Sequence, residues 1–132
     1  MKYMLDTNSC IYLIKKQPKN VMNKFQSLTL GDVCLSSVTL SELLYGVEKS
    51  QQHKKNVLAL EQFILPLDIL PFGDEAAYQY GFLRAYLEKK DTPIGSMDLM
   101  IAAHALSIRA ILVTNNVKEF SRVPKLVIEN WV

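Results

Sequence analysis

This sequence is short of the residues that mark several specialised classes of protein. Cys10 and Cys34 are its two cysteines, His53 and His104 its two histidines. They cannot build a framework of several disulfides, and they lack the close Cys and His spacing of a zinc site. The opening MKYMLDTN has neither the basic start nor the long apolar core of a secretory signal, so both thiols are expected to be reduced, buried and cytoplasmic. No run reaches the roughly 18 apolar residues needed to span a bilayer, which predicts a soluble protein. Charge of one sign is scarce too. With a formal net charge of +2, a basic surface does not dominate the chain, and any nucleic-acid contact must come from local patches. Internal repeats, low-complexity tracts and linkers are absent.

What is present is the balance of an ordinary globular protein, 49% hydrophobic and 21% charged over 132 residues, enough for one domain spanning 1–132. Tyr3 to Leu5 reads as a first strand, and Cys10, Ile11, Leu13 and Ile14 recur at helical spacing over Ser9 to Lys15. A second short helix is expected over Lys19 to Leu28, then a strand over Val33 to Leu35. Leu40, Leu43, Leu44 and Val47 mark an amphipathic helix that carries Glu42. Another helix, Asn56 to Leu65, stops at Pro66, and LDILPF reads as a third strand with Asp68 at its entrance. Asp74 to Lys90 forms a long helix, and Met97 to Ser107 another with Ser96 as its N-cap. Strands at Ala110 to Val113 and Leu126 to Ile128 flank the polar turn and short helical tail of TNNVKEF. Alternating strands and helices predict an α/β fold, a three-layer α/β/α sandwich around a mostly parallel sheet of about five strands.

In such sheets ligands bind beyond the carboxyl ends of the strands, where strand order reverses. Asp6 follows the first strand directly and TNN follows the fourth, so both belong at one rim. Glu42 and Asp98 lie early in helices that begin beside that rim. Three carboxylates in one crevice repel and need a counter-charge. Oxygen ligands select a hard dication, Mg²⁺ or Mn²⁺, which can lower the pKa of a water and stabilise charge on a phosphoryl oxygen.

Each acid has a plainer use as well. Asp6 suits a helix N-cap, TLSE matches a capping box ending at Glu42, and Asp98 suits the first turn of its helix. His104 reads as a packed or surface-lying residue rather than a ligand, His53 as part of a charged, exposed loop, and Arg84 as either the partner of an acid or a packed stem. With so few histidines, a metal-free acid and base pair acting through the ribose 2′-OH is disfavoured.

The segments MLDTN, SSVTLSELLYG, GSMDLMIAAHA and LVTNNVKEF, in that order, make the chain resemble a PIN domain of the VapC toxin type almost end to end. DTN alone is weak; the ordered combination is specific. The resemblance implies a metal-dependent endoribonuclease, the toxin of a type II toxin and antitoxin pair, neutralised by a VapB-type antitoxin. It further implies a homodimer, promoter DNA contacted only through the antitoxin complex, and RNA substrates, here tRNA and the initiator anticodon region. Carried over, Asp6, Glu42 and Asp98 match the acidic metal site, and Thr114 matches a hydroxyl that orients it. Asn116 stands where many PIN domains have an aspartate; its amide can hold water or substrate, and nearby Glu119 can partly substitute. One tightly held ion is therefore expected, any second arriving with RNA. The expected chemistry is in-line hydrolysis leaving 5′-phosphate and 3′-OH ends. The rival readings are a haloacid-dehalogenase-like phosphatase, which needs an Asp where this chain has Asn8, and a non-catalytic binding or signalling module built on the same acidic pocket.

Overall fold

The computed structural model describes every residue from Met1 to Val132. Five strands form one sheet: β1 Tyr3–Leu5, β2 Val33–Ser36, β3 Asp68–Leu70, β4 Ile111–Val113 and β5 Ile128–Glu129, in the order β3-β2-β1-β4-β5. Every neighbouring pair is parallel. Seven helices supply the crossovers: α1 Thr7–Lys15, α2 Lys19–Gln26, α3 Ser37–Glu48, α4 His53–Ile64, α5 Asp74–Lys89, α6 Ser96–Ser107 and α7 Val117–Phe120. This is the expected α/β/α sandwich. The order turns back between β1 and β4, which opens a crevice at their carboxyl ends.

The strands alternate strictly. Met4, Cys34 and Leu112 face a core built with α5, α6 and α7 through Leu83, Leu87, Ile101 and Phe120. Leu5, Leu35 and Val113 face a second core with α1 to α4, which contribute Cys10, Leu13, Val21, Leu43 and Leu60. Because helices cover both faces, the central strands are apolar at successive positions, as parallel strands must be. Cys10 and Cys34 are free and buried, and burial pushes the Cys34 thiol up to about 11.

Several element ends differ from the sequence reading. Ser36, in extended backbone, caps α3 by accepting from the Val38 N–H at 3.1 Å. Thr39 therefore lies inside the helix, and the TLSE capping box does not form; the Thr39 hydroxyl is buried without a partner. The N-cap of α6 is Gly95, not Ser96, and has no side-chain cap. Its N–H instead donates to Glu119 Oε1 at 3.1 Å, so an acid from elsewhere in the chain does the work of a local cap. Helix α4 begins at His53, whose ring meets Glu48 at 3.0 Å. The last strand pairs further along than Leu126, because its ladder opens with Leu112 N–H donating to the Val127 carbonyl.

Leu112 is fully buried in the central sheet, so Leu112→Ala should cost about 2–5 kcal/mol. A urea denaturation midpoint within error of wild type would contradict this packing.

Candidate active site

The site is assembled at the carboxyl rim of β1 and β4. Asp6 is the first residue past β1, and its N–H donates to the Val113 carbonyl at 3.0 Å, pinning it against β4. It is only 5% exposed. Its Oδ1 caps α1 by accepting from the Ser9 N–H at 2.9 Å, while the Ser9 hydroxyl donates to the same Val113 carbonyl at 3.1 Å. Capping and site roles are thus compatible: the cap fixes one oxygen and leaves the other available.

Across the switch point, Thr114 is fully buried at the end of β4. Its Oγ1 accepts from the Asn116 N–H at 2.9 Å, so it shapes the turn that follows the strand. Asn116 donates its side-chain amide to Glu119 Oε2 at 3.0 Å. Glu119 consequently receives one hydrogen bond on each oxygen, from Asn116 and from Gly95. It joins α7 to the start of the helix that carries Asp98.

Asp98 sits in the first turn of α6 and records the crowding. Its pKa is raised to about 6, first by burial, then by the negative charges of Glu119, Glu42 and Asp6 in that order. The other three acids are therefore close enough to act on Asp98, although they come from α7, α3 and the end of β1. Glu119 couples to Asp98 more strongly than either of the other two acids. Sequence reasoning gave it only a supporting part; the usable signal was its position three residues beyond Asn116, one turn along a helix. Glu42 accepts a hydrogen bond from the Thr7 hydroxyl at 2.5 Å, a contact that spacing along the chain could not suggest.

His104 is buried, with its ring nitrogen Nδ1 2.7 Å from Ser36 Oγ and Phe72 packed edge-on against it. Of the two placements the sequence left open, packed or surface-lying, the first holds. Arg84 pairs with Glu88 at 3.0 Å on the outer surface of α5.

No three His, Cys, Asp or Glu side chains stand at mutual ligating distance. The donor set still suits a hard dication, because it is all oxygen and carries more negative charge than the rim can bear unaided, as Asp98 shows. Glu119 has both oxygens held by protein donors, whereas Asp6 and Glu42 each keep one oxygen free of the bonds that hold them. Asp98 accepts no hydrogen bond from a backbone or side-chain N–H, so Asp6, Glu42 and Asp98 are the freer ligands.

The PIN domain family model matches residues 3–126. The chain is 45% identical over 131 residues to the tRNA(fMet)-specific endonuclease VapC of Salmonella typhimurium, covering 99% of this chain and 98% of that one. It is 46% identical to the ribonuclease VapC2 of Rickettsia felis, again over 99% and 98%. Among solved structures, VapBC2 of Rickettsia felis bound to a promoter DNA fragment superposes with a TM-score of 0.94 at 44% identity, covering 100% of both chains. DNA-bound VapBC of Salmonella typhimurium matches with a TM-score of 0.94 at 45% identity, covering 100% and 99%. The chain belongs to the PIN domain family and, within it, to the VapC branch.

The raised pKa of Asp98 fixes a sign for stability. In the folded protein it exceeds the usual carboxyl value, so the native state holds an extra proton between about pH 4 and 6, and stability falls as pH rises through that window. In EDTA, Asp98→Asn should therefore be more stable than wild type at pH 7.5, by about 1 kcal/mol once solvent screening of the half-exposed carboxyl is allowed for. The difference should fade at pH 4. A stabilisation over wild type no larger at pH 7.5 than at pH 4 would show that the acids are not crowded.

Proposed function

We propose that this protein is a divalent-metal-dependent endoribonuclease, the toxin of a type II toxin and antitoxin pair, acting in the cytoplasm on tRNA. The observation that carries the reading is the gathering of Asp6, Glu42, Asp98 and Glu119 at the sheet rim where β1 and β4 diverge, with the raised pKa of Asp98 in support. End-to-end similarity to VapC ribonucleases supports the same chemistry. The Salmonella relative's name specifies tRNA(fMet), which favours initiator tRNA as the substrate.

Asp6 and Asp98 would hold Mg²⁺ or Mn²⁺, with Glu42 completing the set; the ion supplies a more acidic water and neutralises charge growing on the phosphoryl oxygens. Asp6 is fixed by its cap to Ser9 and does not swing away. Glu42, whose local partner is only a hydroxyl, accepts the proton of the attacking water. The new bond forms between water oxygen and phosphorus, and the bond from phosphorus to the 3′-oxygen breaks in line. The departing oxygen takes up a proton, leaving 3′-OH and 5′-phosphate ends. Thr114, Asn116 and Glu119 position the rim: Thr114 shapes the turn, and Asn116 and Glu119 tie it to the Asp98 helix. A recessed crevice of this kind takes a looped, unpaired strand more readily than a duplex.

A groove of about 320 Å³ between α1, α3 and α4, lined by Ile11, Ile14, Leu43 and Leu60, leads to Glu42. It suits an apolar segment of a VapB-type antitoxin that brings a basic side chain to the acids. Similarity to VapBC complexes on promoter DNA favours such a partner; a homodimeric toxin, with DNA contacted through the antitoxin, rests on the family resemblance alone.

Incubation with total tRNA should give discrete fragments with Mg²⁺ and none with EDTA, the fragments ending in 5′-phosphate. Asp6→Asn should lose activity by orders of magnitude while keeping its melting curve. Cyclic 2′,3′-phosphate ends, or full activity in that variant, would overturn the mechanism.

A further inference from the structure

The opposite rim of the sheet carries a feature that catalysis does not use. Helix α5 exposes Tyr78 (82%) and Phe82 (65%), and Phe82 lies nearly parallel to Tyr86, 14° between planes with ring centres 6.3 Å apart. Residues 78, 82 and 86 are four apart, so the three rings form one line along the helix. Beneath them is a groove of about 780 Å³ whose floor includes Ile111, at the start of β4, and Val127, just before β5. It therefore opens at the amino ends of the strands, about 10 Å of sheet away from the acids.

The charges in this groove are of one sign. Arg109 and Lys125 line it and no acid does; neither belongs to any ion pair of the chain. Lys90 places its ammonium 5.2 Å from the centre of the Tyr86 ring, extending the cations along the same line. Two acids flank the rings on this helix: Glu75, ahead of the first ring, and Glu88, two residues past the last, which is paired with Arg84. Exposed rings interleaved with unpaired cations are what single-stranded nucleic acid requires: a π-face for each base and a positive charge for each phosphate.

We infer that the groove under Tyr78, Phe82 and Tyr86 is a second RNA-binding surface, which holds an unpaired segment of the substrate while a different loop enters the acidic crevice. The inference rests on the ribonuclease reading for its substrate, but binding itself needs no metal. A structured RNA of tRNA size can offer one unpaired segment to the groove while another enters the crevice, whereas a short stem-loop has a single unpaired loop, which the crevice itself takes up.

Two measurements test it. Fluorescence anisotropy in EDTA with a labelled 12-nucleotide single-stranded RNA should show Tyr78→Ala/Phe82→Ala weakened about tenfold or more. Arg109→Asn/Lys125→Asn should weaken binding and flatten its salt dependence; asparagine is chosen because both positions have positive φ, 56° and 66°. Steady-state cleavage should show both double variants with reduced kcat/KM on intact tRNA and wild-type kcat/KM on the stem-loop. Unchanged oligonucleotide binding, or equal losses on both substrates, overturns the proposal. So does a ring variant whose only change is loss of self-association, or of binding to an acidic peptide, since the groove would then be a protein interface. If wild type cleaves neither substrate, the ribonuclease reading fails while the anisotropy result still decides the groove.

Discussion

Crowding of like charge at one edge of the sheet is the constraint around which the rest of this molecule is arranged. A carboxylate pressed into a half-buried site beside three others is expensive unless something offsets it. The protein offsets part of the cost itself. Asp6 is stabilised by the Ser9 N–H, Glu42 by a hydroxyl, and Glu119 by a backbone N–H and an amide. Asp98 has no such donor, and its pKa bears the residual strain. The rigid parallel sheet makes this affordable: Asp6 cannot retreat, because its backbone is bonded to β4 and the residues before it are packed on both faces.

Much of this was legible in the amino-acid sequence, for definite reasons. The strand Tyr3 to Leu5 ending in Asp6, and Ile111 to Val113 ending in Thr114, are short apolar runs that stop at polar groups. Parallel topology then forces both stops to one rim. Asp98 and Glu42 followed from helix periodicity, since each helix begins at that rim.

What escaped was tertiary. A capping box at Thr39 is locally reasonable, yet Ser36 comes earlier in the chain and captures the helix start. Ser96 looks like an N-cap, yet Glu119, 24 residues away, bonds to Gly95. No periodicity reveals a bond over that distance. The same holds for Glu119 as the acid most strongly coupled to Asp98: its weight comes from the short helix α7 packing toward the start of α6, and Phe120 buried beside it anchors that packing.

The bracing of Glu119 between Asn116 and Gly95 has a practical side. These donors are part of the polypeptide, so two stretches of the rim remain tied together even under a chelator. On the proposed metal-dependent reading, removing a bound dication would cost activity and leave the shape of the rim unchanged. A cell storing such a protein in an inhibited complex would not have to keep it loaded.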